Sequence, residues 1–520
     1  MEEQSQNSAY PNEGWILTAT ILASSMAFID GSALNVALPA MQASLGASGA
    51  DLLWIINAYL LMLAALILVG GSLGDRLGRK KIFMIGIAIF GVASLASGLA
   101  PSVSWIIGAR IVQGIGGALM IPGSLSIITA TIAPKRRGRA IGTWSAASTL
   151  VTVIGPVLGG TLSDLGFWRG VFLINLPLAV LALAVLATKV PETRDESITG
   201  PVDVLGAVLI TLGLGGVTYG FIAAPNSSFG DPLVAGALIV GVVCLIGFVV
   251  REARSAHPML PLKLFKSRTF SGTNLLTLFL YGALSVGFFF LSLNLVQVQG
   301  YSKTEAGLAT LPFAILLTVM SRWAGGLVDR RGPRLPLILG PALAGCGFFW
   351  MAFAGMTGGP ASYWTSFLPG VALFGVGMGF TVAPLSASVM GSVETHYSGV
   401  ASGINNAVSR TAGVLAIAVV GSVALIAFSG ALDTRTANLP MPPQAHQSLM
   451  AEAGKLGGAS VPQGMTGSGA TAVSNAIKMS FVDTFRLVML ISAGLAWAAA
   501  LATAFFITPG LTPARAEKEI

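Results

Sequence analysis

The sequence predicts an all-α integral membrane protein with fourteen transmembrane helices. They are arranged as two six-helix bundles related by a pseudo-two-fold parallel repeat, with two inserted helices between them. Three observations predict this. Of the 520 residues, 54% are hydrophobic and only 10% charged, against about 25% charged in a soluble globular protein. The apolar residues fall into fourteen long runs, each near the ~20 residues that a spanning helix requires. The two outer sets of six runs share glycine, acidic and basic positions in register. Mean hydropathy is +0.80. This composition excludes a soluble enzyme, a disordered chain and a nucleic-acid-binding domain, although the net charge is +8.

The runs lie near 15–39, 51–71, 82–100, 103–128, 138–162, 168–188, 203–223, 231–250, 269–297, 305–326, 335–356, 364–388, 397–428 and 482–506. They are continuously apolar and rich in Gly and Ala, so a transmembrane barrel, which alternates, is excluded. The division that follows is a tail 1–14, a first bundle 15–188, two linker helices 203–250, a second bundle 269–506 and a tail 507–520. A segment rich in Gly, Ala, Pro and Ser, 429–480, reads as a long loop on the outer side. No basic segment precedes the first run, so that run is expected to be kept as a span. Of the 29 Lys and Arg, 20 fall on one set of loops and 5 on the other. Because cytoplasmic loops are enriched in basic residues, both termini are expected to be cytoplasmic.

The repeat is read from the loops. Gly71-Ser-Leu-Gly-Asp75-Arg76-Leu-Gly78-Arg79-Lys80 follows the second run, and Gly325-Gly-Leu-Val-Asp329-Arg330-Arg-Gly332-Pro-Arg334 follows the tenth, 254 residues later. The same offset relates Gly46 to Gly300 and Asp51 to Glu305. An offset of 261 relates Gly114 and Gly116 to Gly375 and Gly377. Parallel halves with a site at their interface are a transporter architecture.

Few residues within the runs carry chemistry. Asp30 lies ~13 Å inside the first run, by helical rise, among small neighbours. A carboxyl at that depth is costly unless paired, hydrated or protonated. Arg110 and Gln113 reach ~9 and ~13 Å into the fourth run, so an Arg110–Asp30 pair or relay through Gln113 or water is expected. Offsets map Asp30 to Leu284 and Arg110 to Val371, which assigns proton handling to the first half. Gly155, Pro156 and Gly159 in the fifth run are expected to form a packing seam between the halves, with Pro156 as a kink. The Gly71–Lys80 loop and its repeat at Asp329 and Arg330 are expected to act as a conformational latch. Arg410 lies near mid-membrane in the thirteenth run, Arg322 and Arg486 nearer the ends of theirs. Asn35, Trp54, Asn57, Tyr59, Tyr281, Phe288, Asn294, Phe313, Asn405 and Asn406, with Arg410, are candidates to border an apolar substrate cavity. Cys244, Cys346 and the three histidines show no metal spacing, and no phosphate-binding or hydrolase motif is present.

Together these residues resemble the major facilitator superfamily, and most nearly its drug:proton antiporter branch with fourteen spans, the quaternary-ammonium and multidrug exporters. The resemblance is carried by Ile29-Asp30-Gly-Ser-Ala-Leu-Asn35-Val-Ala-Leu-Pro39, by Gly71–Lys80, by Arg110-Ile-Val-Gln113-Gly-Ile-Gly116 and by Gly155-Pro-Val-Leu-Gly159-Gly160. Trp168–Pro177 and Ala401–Asn406 with Arg410 add to it. It implies alternating access in the bacterial inner membrane, with lipophilic compounds exported against inward proton flow. It further implies no cofactor beyond the proton gradient, no enzymatic activity and a functional monomer. Val151 stands where the antiporter motif usually has a small residue, and the thirteenth run has Asn405 and Asn406 but no acid. Cationic or neutral cargo is therefore expected rather than dications. Two rivals are carried forward. One is a dedicated exporter of a metabolite, lipid or lipophilic anion, with or without a periplasmic adaptor. The other is a membrane sensor without flux.

Overall fold

The computed structural model describes residues 13–194, 202–255, 258–394 and 397–507. Fourteen helices are long and apolar enough to span: α1 Glu13–Leu45, α2 Gly49–Leu77, α3 Arg79–Gly98, α4 Val103–Thr131, α5 Arg136–Asp164, α6 Gly170–Lys189, α7 Val204–Ser227, α8 Pro232–Arg254, α9 Arg268–Val298, α10 Lys303–Val328, α11 Arg334–Met351, α12 Leu368–Gly391, α13 Ser398–Thr436 and α14 Gly467–Phe506. No strand occurs among the described residues. Helices are what lipid demands, because each closes its own backbone hydrogen bonds. All fourteen expected spans are present, most with ends shifted by a few residues, while α13 ends eight residues later and α14 begins fifteen residues earlier than expected. His257, His396 and nearly all of both tails lie outside the described residues.

The repeat is visible in the turns. Gly46 and Gly300 both take a positive φ, +64° and +75°, which favours glycine. Two residues later Ser48 and Ser302 each cap a helix, and Asp51 and Glu305 each return a hydrogen bond to the cap backbone. The repeat extends to packing. Gly114 sits against the Tyr59 carbonyl, where a Cβ would come within 2.5 Å, and Gly375 sits likewise against the Phe313 carbonyl at 2.8 Å. Tyr59 and Phe313 are themselves 254 apart.

The inserted helices α7 and α8 pack on each other, and α7 lies on both α2 and α13. Leu214 of α7 joins Leu61 and Ala64 of α2 and Val414 of α13 in one apolar cluster. The insert therefore flanks the junction of the halves rather than only linking them.

Fourteen crossings leave the basic loops on one face, called here the basic face. On the opposite face the halves are joined. The Asp164 carboxylate at the end of α5 accepts from the Lys303 and Thr304 backbone amides, at 3.1 and 2.8 Å, and from the Thr304 hydroxyl at 2.6 Å, all in the first turn of α10. Gln297 donates to Gln42 at 2.6 Å, and Ser292 donates to the Asn35 carbonyl at 2.8 Å. Toward the basic face α5 and α10 make few contacts, while α2 and α13 stay together from Leu53 and Gly421 to Leu68 and Gly403. Only 11% of the central windows of α5 and α10 is buried, against 39–67% in the other ten bundle helices. These two helices are therefore the least covered by protein among the twelve bundle helices.

The long loop expected at 429–480 is a correction. α13 continues to Thr436 and α14 begins at Gly467, so the connection is roughly half that length. It holds a short helix, Pro443–Ala451, and a turn, Ala453–Gly458. Gln42 donates to the Lys455 carbonyl at 3.0 Å, which docks the turn over the joined ends. Burial pushes the Glu452 carboxyl up, but hydrogen bonds from Lys455 and Ser460 outweigh that and hold it below the usual glutamate range.

Candidate functional site

α1 and α4 bring Asp30, Arg110 and Gln113 together in the interior. Arg110 Nη1 donates to both Asp30 carboxylate oxygens, at 2.7 and 2.6 Å, and to Gln113 Oε1 at 2.9 Å. Gln113 Nε2 donates to Asp30 Oδ1 at 3.0 Å. All three side chains are at most 1% exposed. Arg110 Nε donates to the Ile55 carbonyl at 3.1 Å, and its guanidinium lies 4.3 Å over the Tyr59 ring. Two residues not anticipated complete the cluster. Asn175 donates to the Ser94 hydroxyl at 2.9 Å, which in turn donates to the Phe172 carbonyl at 2.9 Å, while Gln113 reaches Ser94 at 3.5 Å. Depth along the helices signals Asp30 and Arg110. Nothing local signals Ser94, whose role comes from packing of α3 beside α4. Removing one partner of such a pair leaves a buried charge, at a cost of about 3–5 kcal/mol.

The equivalent place in the second half is apolar. By the repeat offsets Asp30, Tyr59, Ser94, Arg110 and Gln113 correspond to Leu284, Phe313, Phe348, Val371 and Phe374. Phe313 stacks on Phe374 at 5.0 Å between ring centres, and Phe348 lies 4.6 Å from Phe374. Phe288 joins them, 4.9 Å from Phe313 and 5.9 Å from Phe374. Phe288 and Phe313 are half-buried, as an aromatic wall requires.

Arg410 of α13 is the third ionic group deep within the spans. It is half-buried and makes no hydrogen bond or ion pair among the described residues. None of its nitrogens is enclosed without a partner, so its guanidinium opens on accessible space. The phenols of Tyr59 and Tyr281 both lie within reach of its charge. Tyr59 thus lies within reach of both the Asp30–Arg110 pair and Arg410. Arg486, by contrast, is tied midway along α14 to the Ala352 carbonyl at 3.3 Å and to Asp483 at 3.8 Å, while Arg322 is exposed.

Several cavity candidates are placed elsewhere. Tyr59 is 3% exposed and belongs to the ionic cluster. Trp54 packs on Tyr219 of the insert, ring centres 6.4 Å apart. Asn294 accepts from Gln299 at 3.1 Å, and Gln299 secures the Gly355–Thr357 loop. Asn405 donates to Thr277 at 2.7 Å, joining α13 to α9, and Asn406 bonds its own helix. Asn35 also bonds its own helix, at the Gly31 carbonyl. Asn57 is fully buried, and neither polar atom of its side chain has a partner among the described residues. An orphaned amide costs about 1–3 kcal/mol.

The glycine seam also needs correction. Gly155 and Gly159 pack within the first half, against Ser32 and Ala33 of α1, where a Cβ would come within 1.9 and 2.3 Å. Contact between halves comes from the neighbouring positions. A Cβ on Gly160 would meet the Lys303 carbonyl at 2.2 Å, and Gly307 sits against Pro156 at 2.4 Å. One stretch of α5 therefore touches both the Asp30 helix and the joined ends. In the basic-face loop, Asp75 at the end of α2 pairs with Arg79 at the start of α3, at 2.7 Å. A longer-range link is made by Glu192, which follows α6. Its carboxylate accepts from the Lys80 and Lys81 amides at 2.9 and 3.0 Å, capping α3. It also lies against Gly78, whose φ is +113°. Gly71 lies against Pro122 of α4. The side chains of Asp329 and Arg330 lie outside those described.

The profile of the family described as "Major Facilitator Superfamily" matches residues 20–417. The tetracenomycin C resistance and export protein of Streptomyces glaucescens is 31% identical over 510 residues, 97% of this chain and 93% of that protein. The multidrug resistance protein Stp of Mycobacterium tuberculosis is 32% identical over 436 residues, 83% of this chain and 79% of that protein. Among solved structures, a bacterial homologue of the human lysosomal transporter Spinster, inward-facing and unoccupied, aligns with a TM-score of 0.64. It is 18% identical and covers 95% of this chain and 98% of that one, a likeness of fold.

Proposed function

We propose that this chain, which belongs to the Major Facilitator Superfamily, is a transporter that exports lipophilic small molecules by alternating access, driven by protons that bind at Asp30. Membership makes it an integral membrane transporter with relatives named for antibiotic resistance and export. The observation that carries the finer reading is that Asp30 is the one carboxylate placed deep among the described spans, fully buried and held by Arg110 and Gln113.

We take the basic face as cytoplasmic. The form described is then closed outward. With Asp30 ionised, Arg110 is compensated and the closed form is stable. A proton on Asp30 removes that compensation. An uncompensated buried arginine costs about 3–5 kcal/mol, which favours any form in which Arg110 meets water. Reversing a 1:99 equilibrium takes about 5.5 kcal/mol, so one proton supplies most of what the switch needs. The path is short. Asp30 lies two to three residues from Ser32 and Ala33, which hold Gly155 and Gly159, and the same turns of α5 hold Lys303 and Gly307. Freeing α1 from α4 thus loosens the outer junction. Substrate loaded from the cytoplasm opens the outer side, a proton from outside then binds Asp30 and holds that side open while substrate leaves, and loss of the proton to the cytoplasm after closure restores the pair.

Asp30→Asn should abolish gradient-driven uptake into everted vesicles while leaving gradient-free exchange of labelled substrate intact. Gradient-driven export at the wild-type rate would contradict the assignment of Asp30. The sensor reading predicts no exchange at all.

A further inference from the structure

A transporter for cationic cargo needs an acid that the cargo can reach. In this chain the deep acid is saturated. Asp30 is 0% exposed, and both its oxygens accept from Arg110. The ionic group left over is a cation. Arg410 is half-buried, opens on accessible space and makes no ion pair or hydrogen bond among the described residues. An arginine keeps its charge at any physiological pH, and its planar fork matches carboxylates and other oxyanions. An unpaired cation at such depth is expensive and marks a function. The half that holds it is aromatic: Tyr281 lies within reach of its charge, and Phe288 and Phe313 are half-buried.

A second observation comes from the opposite face. Over the joined ends lies a cavity of about 860 Å³, lined in part by Gln42, Trp168, Arg169, Gln297, Lys303 and Lys455. Three of its lining side chains are basic and none is acidic. Lys303 and Lys455 have acidic neighbours, Asp164 at 3.5 Å and Glu452 at 2.8 Å. Arg169 has none. It donates to the Ala100 carbonyl at 2.8 Å and lies 4.3 Å over the Trp168 ring. A basic exit attracts the same class of cargo as the unpaired cation within.

We propose that the cargo is a lipophilic anion, an aromatic or polycyclic body bearing a carboxylate or an acidic hydroxyl, with that oxyanion on Arg410 and the body against the Phe288–Phe313–Phe374 wall. This rests on the export reading and replaces the cationic cargo expected from the sequence. Asp30 is fully buried and held by Arg110 and Gln113, so its proton acts on conformation and does not compete with cargo for one carboxylate.

The test uses three probes with one body: 4-(pyren-1-yl)butanoate, its primary amide and the corresponding amine. Binding is read by fluorescence anisotropy with the full chain in lipid nanodiscs, and export in proteoliposomes under an imposed proton gradient. Wild type should bind the carboxylate at least tenfold more tightly than the amide or the amine. Arg410→Gln should lose about tenfold on the carboxylate and leave the amide unchanged, while Arg410→Lys should lose less. Unchanged amide binding shows that the Arg410→Gln site has kept its shape. The proposal is overturned if the amine binds as well as the carboxylate, if no probe binds, or if Arg410→Gln binds the carboxylate like wild type. If the carboxylate binds through Arg410 but no gradient moves it, the export reading fails and the site stands. If the amine is exported regardless of Arg410, the site fails and the export reading stands.

Discussion

Two places in this molecule occupy the same position in the repeat and have opposite character. In the first half, Asp30, Tyr59, Ser94, Arg110 and Gln113 form a buried ionic network. In the second, Leu284, Phe313, Phe348, Val371 and Phe374 fill the equivalent space with packed rings. The frame around them is shared, down to Gly114 and Gly375 pressed against equivalent carbonyls. One backbone thus supports two jobs. A charge switch needs a rigid, dry, fully bonded pocket, and an aromatic wall needs only shape. Placing the jobs in separate halves lets a proton move one half against the other without occupying the cargo's space.

The largest expected effect breaks the ionic half. Arg110→Gln leaves Asp30 uncompensated and should cost about 3–5 kcal/mol in stability, seen as a lower unfolding midpoint in detergent. Adding Asp30→Asn should recover most of that loss without restoring proton coupling. A double variant no more stable than the single one would show that the pair does not act as a unit. Next, Phe374→Ala opens the wall, and by analogy with buried phenylalanines it should cost about 3 kcal/mol. Substrate-free proton binding should persist, since the first half is intact. Loss of that binding would show that the halves do not divide the work. Tyr59→Leu removes the ring over Arg110 and should cost about 1–2 kcal/mol, whereas Tyr59→Phe should cost little, because the face of the ring makes the contact.

The smallest effect concerns the docked turn outside both clusters. Glu452 has a lowered pKa in the folded chain, so its contribution is present above the ordinary glutamate value of 4.5 and is lost as pH falls through the lowered one. Protease protection of the 437–466 connection should therefore be flat from about pH 5 to 8 and fall only in more acidic solution.

The spans, the repeat and the meeting of Asp30 with Arg110 were legible because each follows from one-dimensional facts: apolar length, offset and depth. What escaped depends on rotation about helix axes. Trp54 and Asn405 carry suitable chemistry, yet face the insert and α9. Gly155 and Gly159 form a close-packing face, but nothing in the sequence says which helix they meet. Asp164 and Glu192 matter through partners more than a hundred residues away in the chain, capping α10 and α3. The 429–480 segment misled because a helix rich in Gly, Ala and Ser beyond the apolar run has no hydropathy signal.

Proton flux tests the central claim most directly. Purified wild type and Asp30→Asn would be placed in proteoliposomes, and proton movement recorded with a trapped pH dye as the pyrene carboxylate is added. The account predicts cargo-dependent proton movement in the wild type and none in the variant, with the variant still binding cargo at wild-type affinity. Equal proton movement in both would contradict it, and the coupling group would then have to lie elsewhere in the chain.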